Sequence, residues 1–243
     1  METNPGPRRP VPAVCRILCS NVRGLARNLS DLTVASSQYD ILFCSETLVS
    51  DMPQLLVPGF GLPVLLCPGK MPRAHGMAAY VRPKFECAYV RPKFSQPKFE
   101  CGCCEMLFFN VCGVRQNLYV YSLYRNPDVD DRIFDCLPAS MAAVQAENVH
   151  ASFLFVGDLN SHHQEWLGFT TTNRHGVAAF DFATVSGCDQ LVVGRTHARG
   201  GTLALLMTDV PDLVQVAVVS PIGNSDHSSL SAVILMAQAV ANL

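Results

Sequence analysis

The chain has no apolar run approaching the roughly 20 residues that a membrane-spanning helix needs. An integral membrane protein of the helical kind is therefore excluded. Its first residues, Met1 to Pro12, carry no apolar h-region, so a secretory signal is not expected. A nuclear or cytoplasmic protein is the expectation. Positive charge is not in excess: 18 Lys and Arg stand against 20 Asp and Glu, for a formal net charge of -2. That argues against a general basic coat for nucleic acid, though not against a local basic groove. A second pair of metal-spaced cysteines is also lacking. Of the 11 Cys, Cys101 and Cys104 have ligand-like spacing, whereas Cys101 and Cys103 alternate as on a strand. Reduced thiols and a thiol-rich buried strand are expected rather than zinc.

What is present is apolar bulk. The 243 residues are 49% hydrophobic, enough for a substantial core. The expected layout is one domain over 14–237, a disordered tail at 1–13 and a short C-terminal tail at 238–243. Strands are expected at Val14–Ser20, Asp40–Cys44, Met77–Val81, Met106–Cys112, Leu118–Tyr124 and Ser152–Val156. Four more follow at Gln190–Val193, Thr202–Met207, Leu213–Val219 and Ser229–Leu235. Helical spacing covers Leu25–Ser36, Asp130–Asn148 and His175–Ser186. Pro138 sits inside the second of these, where it costs about 3 kcal/mol and is expected to kink or split the helix. Strands interrupted by helices, with polar residues at strand ends, suit an α/β class: a β-sandwich flanked by helices.

One segment repeats itself. Ala79 to Phe85 recurs as Ala88 to Phe94, and Pro83 to Cys87 recurs as Pro97 to Cys101. The unequal spacing excludes a solenoid. Five basic residues with aromatics between them lie from Arg82 to Lys98. A solvated duplicated loop is the favoured reading, with a stacking contact to DNA as the functional one. The prolines make the copies poor central strands.

Chemistry gathers where strands end. Gly157-Asp158-Leu159-Asn160 follows an apolar run, Ser225-Asp226-His227 lies near the C-terminus, and Glu46 follows the second strand. Such a set supplies what a metal-assisted phosphodiesterase needs: a carboxylate for the metal, a base for water and a donor for phosphoryl charge. Each residue alone has a plainer reading. A Glu after a strand is often only solvated, and Asp-X-Asn after Gly also suits a turn or helix cap.

The order of the motifs resembles the endonuclease/exonuclease/phosphatase superfamily. More narrowly, it resembles the apurinic-type endonuclease domain of non-LTR (LINE-type) retrotransposons. The matching strings are Ser20-Asn21-Val22-Arg23-Gly24-Leu25, Phe43-Cys44-Ser45-Glu46-Thr47 and Ser122-Leu123-Tyr124-Arg125-Asn126-Pro127. They continue with Val156 to Asn160 followed by His162-His163 and Trp166, then Thr196-His197 to Leu203, then Ser225-Asp226-His227. The resemblance implies a four-layer, DNase I-like sandwich that nicks DNA and leaves a 3′-hydroxyl to prime reverse transcription. It implies that Glu46 holds Mg²⁺ or Mn²⁺, with Asp226 joining the metal site. Asp158 would orient or deprotonate water, Asn160 would donate to the scissile phosphate, and Asn21 would align Asp158 and the metal region. Tyr124 would donate to a phosphoryl oxygen, and His227 would stabilise charge there. DNA is the implied partner, with no membrane, and a monomer is expected. A phosphatase or lipid phosphodiesterase of the same superfamily is the competing reading, and a non-catalytic DNA-binding remnant is another.

Two departures stand out, and the N-terminus adds a separate clue. Relatives usually carry Asp at X in Gly-Gly-Thr-Leu-X-Leu, where it accepts a hydrogen bond from the catalytic His. Here X is Ala204, so weak or lost nicking is expected. Arg23 stands where some relatives carry a second metal-site acid. Glu2-Thr3-Asn4-Pro5-Gly6-Pro7 resembles the end of a ribosome-skipping 2A-type peptide.

Overall fold

The strands alternate apolar residues on both faces, so a sheet built from them has to be covered on both sides. Ser152–Asp158 illustrates this. Leu154 and Val156 belong to one core, Phe153 and Phe155 to another, and all are buried. In the first strand Ile17 and Leu18 divide in the same way.

The computed structural model describes residues 14–49, 55–66, 75–83, 87–89, 105–111, 117–128, 132–167 and 171–236. Its elements run β1 (Val14–Asn21), α1 (Leu29–Ala35), β2 (Ile41–Ser45), β3 (Val64–Leu66), β4 (Met77–Val81), β5 (Cys87–Tyr89) and β6 (Glu105–Val111). They continue with β7 (Leu118–Tyr124), α2 (Ile133–Glu147), β8 (Ser152–Asp158), α3 (Gln164–Leu167), α4 (Arg174–Val185) and β9 (Asp189–Gln190). The last are β10 (Ala204–Thr208), β11 (Val214–Val219) and β12 (Ser229–Leu235).

Two six-stranded mixed sheets result, ordered β11-β12-β1-β2-β4-β3 and β5-β6-β7-β8-β10-β9. Ile17, Phe43, Phe109, Val120, Leu154 and Leu206 are among the side chains of the core between them. Leu137, Met141 and Val144 of α2, with Phe182 of α4, cover the far face of the second sheet on Phe153 and Phe155. Leu32 of α1 covers the far face of the first, with Leu18, Leu42 and Tyr80. The α/β sandwich expected from the sequence is thus present.

Each sheet holds one parallel pair, β1 with β2 and β7 with β8, and each pair is joined through a helix. Ligand sites in such sheets lie beyond the carboxyl ends of parallel strands. Asn21 pairs with Ser45 at one such end, and Tyr124 with Asp158 at the other. This is how remote segments deliver their polar residues to one place.

Several boundaries differ from expectation for physical reasons. Helix α2 runs as one element with Pro138 inside it. Burial of Leu137, Met141 and Val144 against the sheet offsets the missing hydrogen bond. The expected strand at Gln190–Val193 is reduced to Asp189–Gln190, because Gln190 turns its side chain to bond Val192 at both the backbone N–H and carbonyl. Strand β5 straddles a boundary between repeat copies, Cys87 ending one and Ala88 opening the next, and it pairs only at the sheet edge, where prolines nearby are tolerated. Cys101, Cys103, Cys104 and Cys112, most of the duplicated segment, and both tails lie outside the described residues. Cys19, Cys44 and Cys188 are buried free thiols, and burial pushes the last two up to about 12.

Gly157 is required by close approach. A Cβ there would lie 1.8 Å from the Leu123 carbonyl oxygen of the neighbouring parallel strand. Gly157→Ala is therefore expected to lower stability by about 3 kcal/mol, read from urea unfolding. A loss under about 1 kcal/mol would contradict that packing.

Candidate active site

Asn21 is the hub of the site. It ends β1, is 4% exposed, and its amide nitrogen donates both to Glu46 Oε1 at 2.7 Å and to Asp158 Oδ2 at 2.8 Å. One side chain from the first sheet thus ties carboxylates from both sheets together. The Tyr124 hydroxyl donates to the same Glu46 oxygen at 3.0 Å. His227 brings Nδ1 within 3.3 Å of Asp158 Oδ2, without the alignment of a hydrogen bond. Its Nε2 lies 3.7 Å from Asp226 Oδ1.

The backbone here is unusual. Arg23, Glu46 and Asn160 have φ of 43°, 50° and 48°. Residues other than glycine held there cost about 1 kcal/mol or more each, and such strain gathers at functional sites. Asn160 is fixed further: its amide donates to the Arg125 carbonyl at 2.8 Å and its N–H to Asp158 Oδ1 at 3.3 Å.

Burial sets the electrostatics. Asp158 is 3% exposed, and desolvation raises its carboxyl above the ordinary value, against the opposing pull of His227 and the Asn21 bond. For Asp226, desolvation alone would push the carboxyl up. The hydrogen bond and charge of Arg23, with His227, outweigh that and hold it low.

The sequence-expected residues Asn21, Glu46, Tyr124, Asp158, Asn160, Asp226 and His227 therefore fall in one cluster. Other contributors stand inside the same motif strings but carry no role assigned from sequence. Arg125 is fully buried, and its guanidinium donates to the carbonyls of Leu159 at 2.7 Å and Asn160 at 2.8 Å, holding the Asp158–Asn160 turn in place. Its place beside Tyr124 was the one available signal. Ser225 Oγ donates to the Asn21 carbonyl at 2.7 Å and accepts from the His227 N–H at 3.2 Å. His197 forms a β-bridge with His227, and the two rings meet edge to face at 4.7 Å. His163, by contrast, stacks on Phe180 at 4.1 Å and serves packing.

Beside Asn160 opens a cleft of about 470 Å³, lined by His162, Asn173, Arg195, Arg199, Gly200 and Gly201 among others. Burial holds the His162 imidazole below its usual value. The cleft thus has an uncharged ring on one wall and two guanidinium groups among its lining.

Glu46, Asp158 and His227 each offer a ligand atom within 4.8 Å of the others. The two carboxylates suit a hard divalent cation, whereas the imidazole is a ligand for softer metals. A second such group among the described residues is His197, Asp226 and His227. No described helix is long and apolar enough to cross a membrane.

No protein-family model matches the chain. No curated protein matches it in sequence. Solved structures do match in shape. The endonuclease domain of TRAS1, a telomere-specific non-LTR retrotransposon, superposes with a TM-score of 0.66 at 13% identity, over 90% of this chain and 98% of that one. The AP endonuclease LMAP from Leishmania major gives 0.66 at 13%, over 93% and 89%. An endonuclease/exonuclease/phosphatase family protein from Bacteroides thetaiotaomicron gives 0.62 at 11%, over 94% and 97%. Two mixed sheets packed face to face, with helices outside, give this chain the DNase I-like fold shared by its endonuclease/exonuclease/phosphatase neighbours.

Proposed function

We propose that the chain is a divalent-metal-dependent phosphodiester hydrolase that nicks DNA, the endonuclease part of a non-LTR retrotransposon. The reading rests chiefly on one observation: Asn21 hydrogen-bonds the Glu46 and Asp158 carboxylates from opposite sheets while Tyr124 holds Glu46.

In this reading Glu46 would hold Mg²⁺ or Mn²⁺, which would supply charge neutralisation at the phosphate when bound. Asp158, raised by burial, accepts the proton of an attacking water. Asn21 fixes the direction of its Oδ2. Asn160 keeps one amide hydrogen beyond its bond to Arg125 and offers it to a phosphate oxygen. Tyr124 orients Glu46 and lies within reach of a phosphoryl oxygen. His227 stands beside Asp158 to favour negative charge developing on phosphorus-bound oxygen. The product is a 3′-hydroxyl that primes reverse transcription. The work needs no oligomer, and the site is compatible with a nuclear or cytoplasmic protein.

The strand leaving the cut phosphate would run through the Arg195–Arg199 cleft, whose cations suit a phosphate backbone. Arg199→Ala is expected to raise KM for plasmid about three- to tenfold while kcat stays within about twofold. A fall in kcat alone would place Arg199 in the chemistry instead.

A second reading, a non-catalytic DNA-binding remnant, is favoured by Ala204 and by the misaligned His227. The deciding experiment incubates the protein with Mg²⁺ and supercoiled plasmid, with an inositol phosphate and with sphingomyelin in parallel. Nicking alone supports the endonuclease. Release of phosphate or phosphocholine would favour another member of the superfamily. DNA retention that weakens steeply with salt, without cleavage, would favour the remnant.

A further inference from the structure

Arg23 leaves β1 two residues after Asn21 and turns its side chain back across the mouth of the site. Its Nη1 lies 2.6 Å from Asp226 Oδ2, and its Nε lies 3.9 Å from Glu46 Oε2. One fixed positive charge thus stands between two carboxylates. The two possible cation groups share His227 and differ in their acids: Glu46 and Asp158 in one, Asp226 in the other. Arg23 engages the carboxylate of the second group in a short charge-assisted bond.

His197 makes that second group less fit for a metal. The Arg199 backbone N–H donates to His197 Nδ1 at 3.1 Å. The neutral ring then carries its proton on Nε2, the atom 3.5 Å from Asp226 Oδ2. An N–H is a donor, not a metal ligand. Asp226 is therefore faced by the guanidinium at 2.6 Å and by an imidazole N–H, whereas Glu46 meets that guanidinium only at 3.9 Å and is joined to Asp158 by the neutral amide of Asn21.

We propose that Arg23 is a built-in cation that takes the place on Asp226 that a metal would otherwise fill. The chain then holds one divalent cation, on the Glu46 side of the cluster, and Asp226 serves as the anchor of Arg23 rather than as a metal ligand. This rests on the reading of the cluster as a metal site, but not on which substrate is cut. A guanidinium cannot exchange or dissociate, so its positive charge persists in the metal-free protein.

The test titrates Mn²⁺ alone into the full chain, counting bound ions by the loss of the free Mn²⁺ signal in electron paramagnetic resonance. The parent is expected to bind one ion. Arg23→Gln removes the fixed charge, so it should bind Mn²⁺ about tenfold more tightly or gain a second ion. The Arg23→Gln/Asp226→Asn double variant keeps the parent's net charge. It should return to one ion with affinity within about threefold of the parent. Both side chains are partly exposed, so the fold should tolerate the changes, and circular dichroism checks it. Two ions in the parent, none in the parent, an unchanged Arg23→Gln variant, or a larger loss in the double variant would each overturn the proposal. A parent that binds one ion in this pattern yet cleaves no DNA would sink the endonuclease reading and leave this one standing.

Discussion

An Asp158→Asn variant nicks supercoiled plasmid about 10²–10⁴-fold more slowly than the parent, with its unfolding midpoint little changed. The size follows from what position 158 does. Its carboxylate is held by Asn21 on one oxygen and by the Asn160 N–H on the other. Asparagine matches the shape but cannot take a proton from water. The pH profile separates this role from a structural one. Desolvation raises the Asp158 carboxyl above its usual 3.8. At mildly acid pH more of it is protonated, and so inactive as a base, than of a free aspartate. The parent's rate should climb as pH rises through that raised value and then level off. The residual rate of Asp158→Asn should lack that limb. An unchanged limb in the variant would assign the titration to another group.

The second large effect runs upward. Ala204 on β10 is the register partner of Asp158 on β8, so the two side chains share a face. Its backbone N–H is held by the Thr196 hydroxyl at 3.0 Å, and the position is 9% exposed. An acid placed there would face Asp158, whose Oδ2 the His227 ring approaches to 3.3 Å without bonding it. Ala204→Asp is therefore expected to nick plasmid about 10–10²-fold faster than the parent, by orienting His227 and supporting its charged form. Ala204→Asn, an acceptor without charge, should recover less. The gain carries a cost. A second carboxylate opposite buried Asp158 repels it, and stability should fall by about 1–2 kcal/mol in urea unfolding. Equal nicking by parent and Ala204→Asp would show that His227 needs no carboxylate at that position.

Much of the fold is visible in the sequence because the hydrophobic pattern carries it. Apolar residues on both faces of Ser152–Asp158 and Val14–Asn21 announce sheets covered on two sides. β12 has the bounds its alternation suggests, Ser229–Leu235. Short edge strands such as Val64–Leu66 carry too few residues to show a period and were not foreseen. Pro138 misleads because a local penalty is outweighed by tertiary burial of α2. The polar residues of the cluster were legible one by one, since each lies at or within a few residues of a strand terminus. Their convergence depends on pairing across the sandwich, which no single segment encodes. Arg23, Arg125 and His197 act through partners far along the chain, and their roles appear only once Asp226, Leu159 and His227 are placed beside them.

The measurement that bears most directly on the central claim is the conversion of supercoiled plasmid to open circle by the parent and by Ala204→Asp. It is run in Mg²⁺, in EDTA, and with Glu46→Gln introduced into each. Metal-assisted phosphodiester cleavage predicts open circle in Mg²⁺, faster for Ala204→Asp, and none in EDTA or with Glu46→Gln. Nicking that survives EDTA or Glu46→Gln, or no nicking by either protein in Mg²⁺, would contradict it.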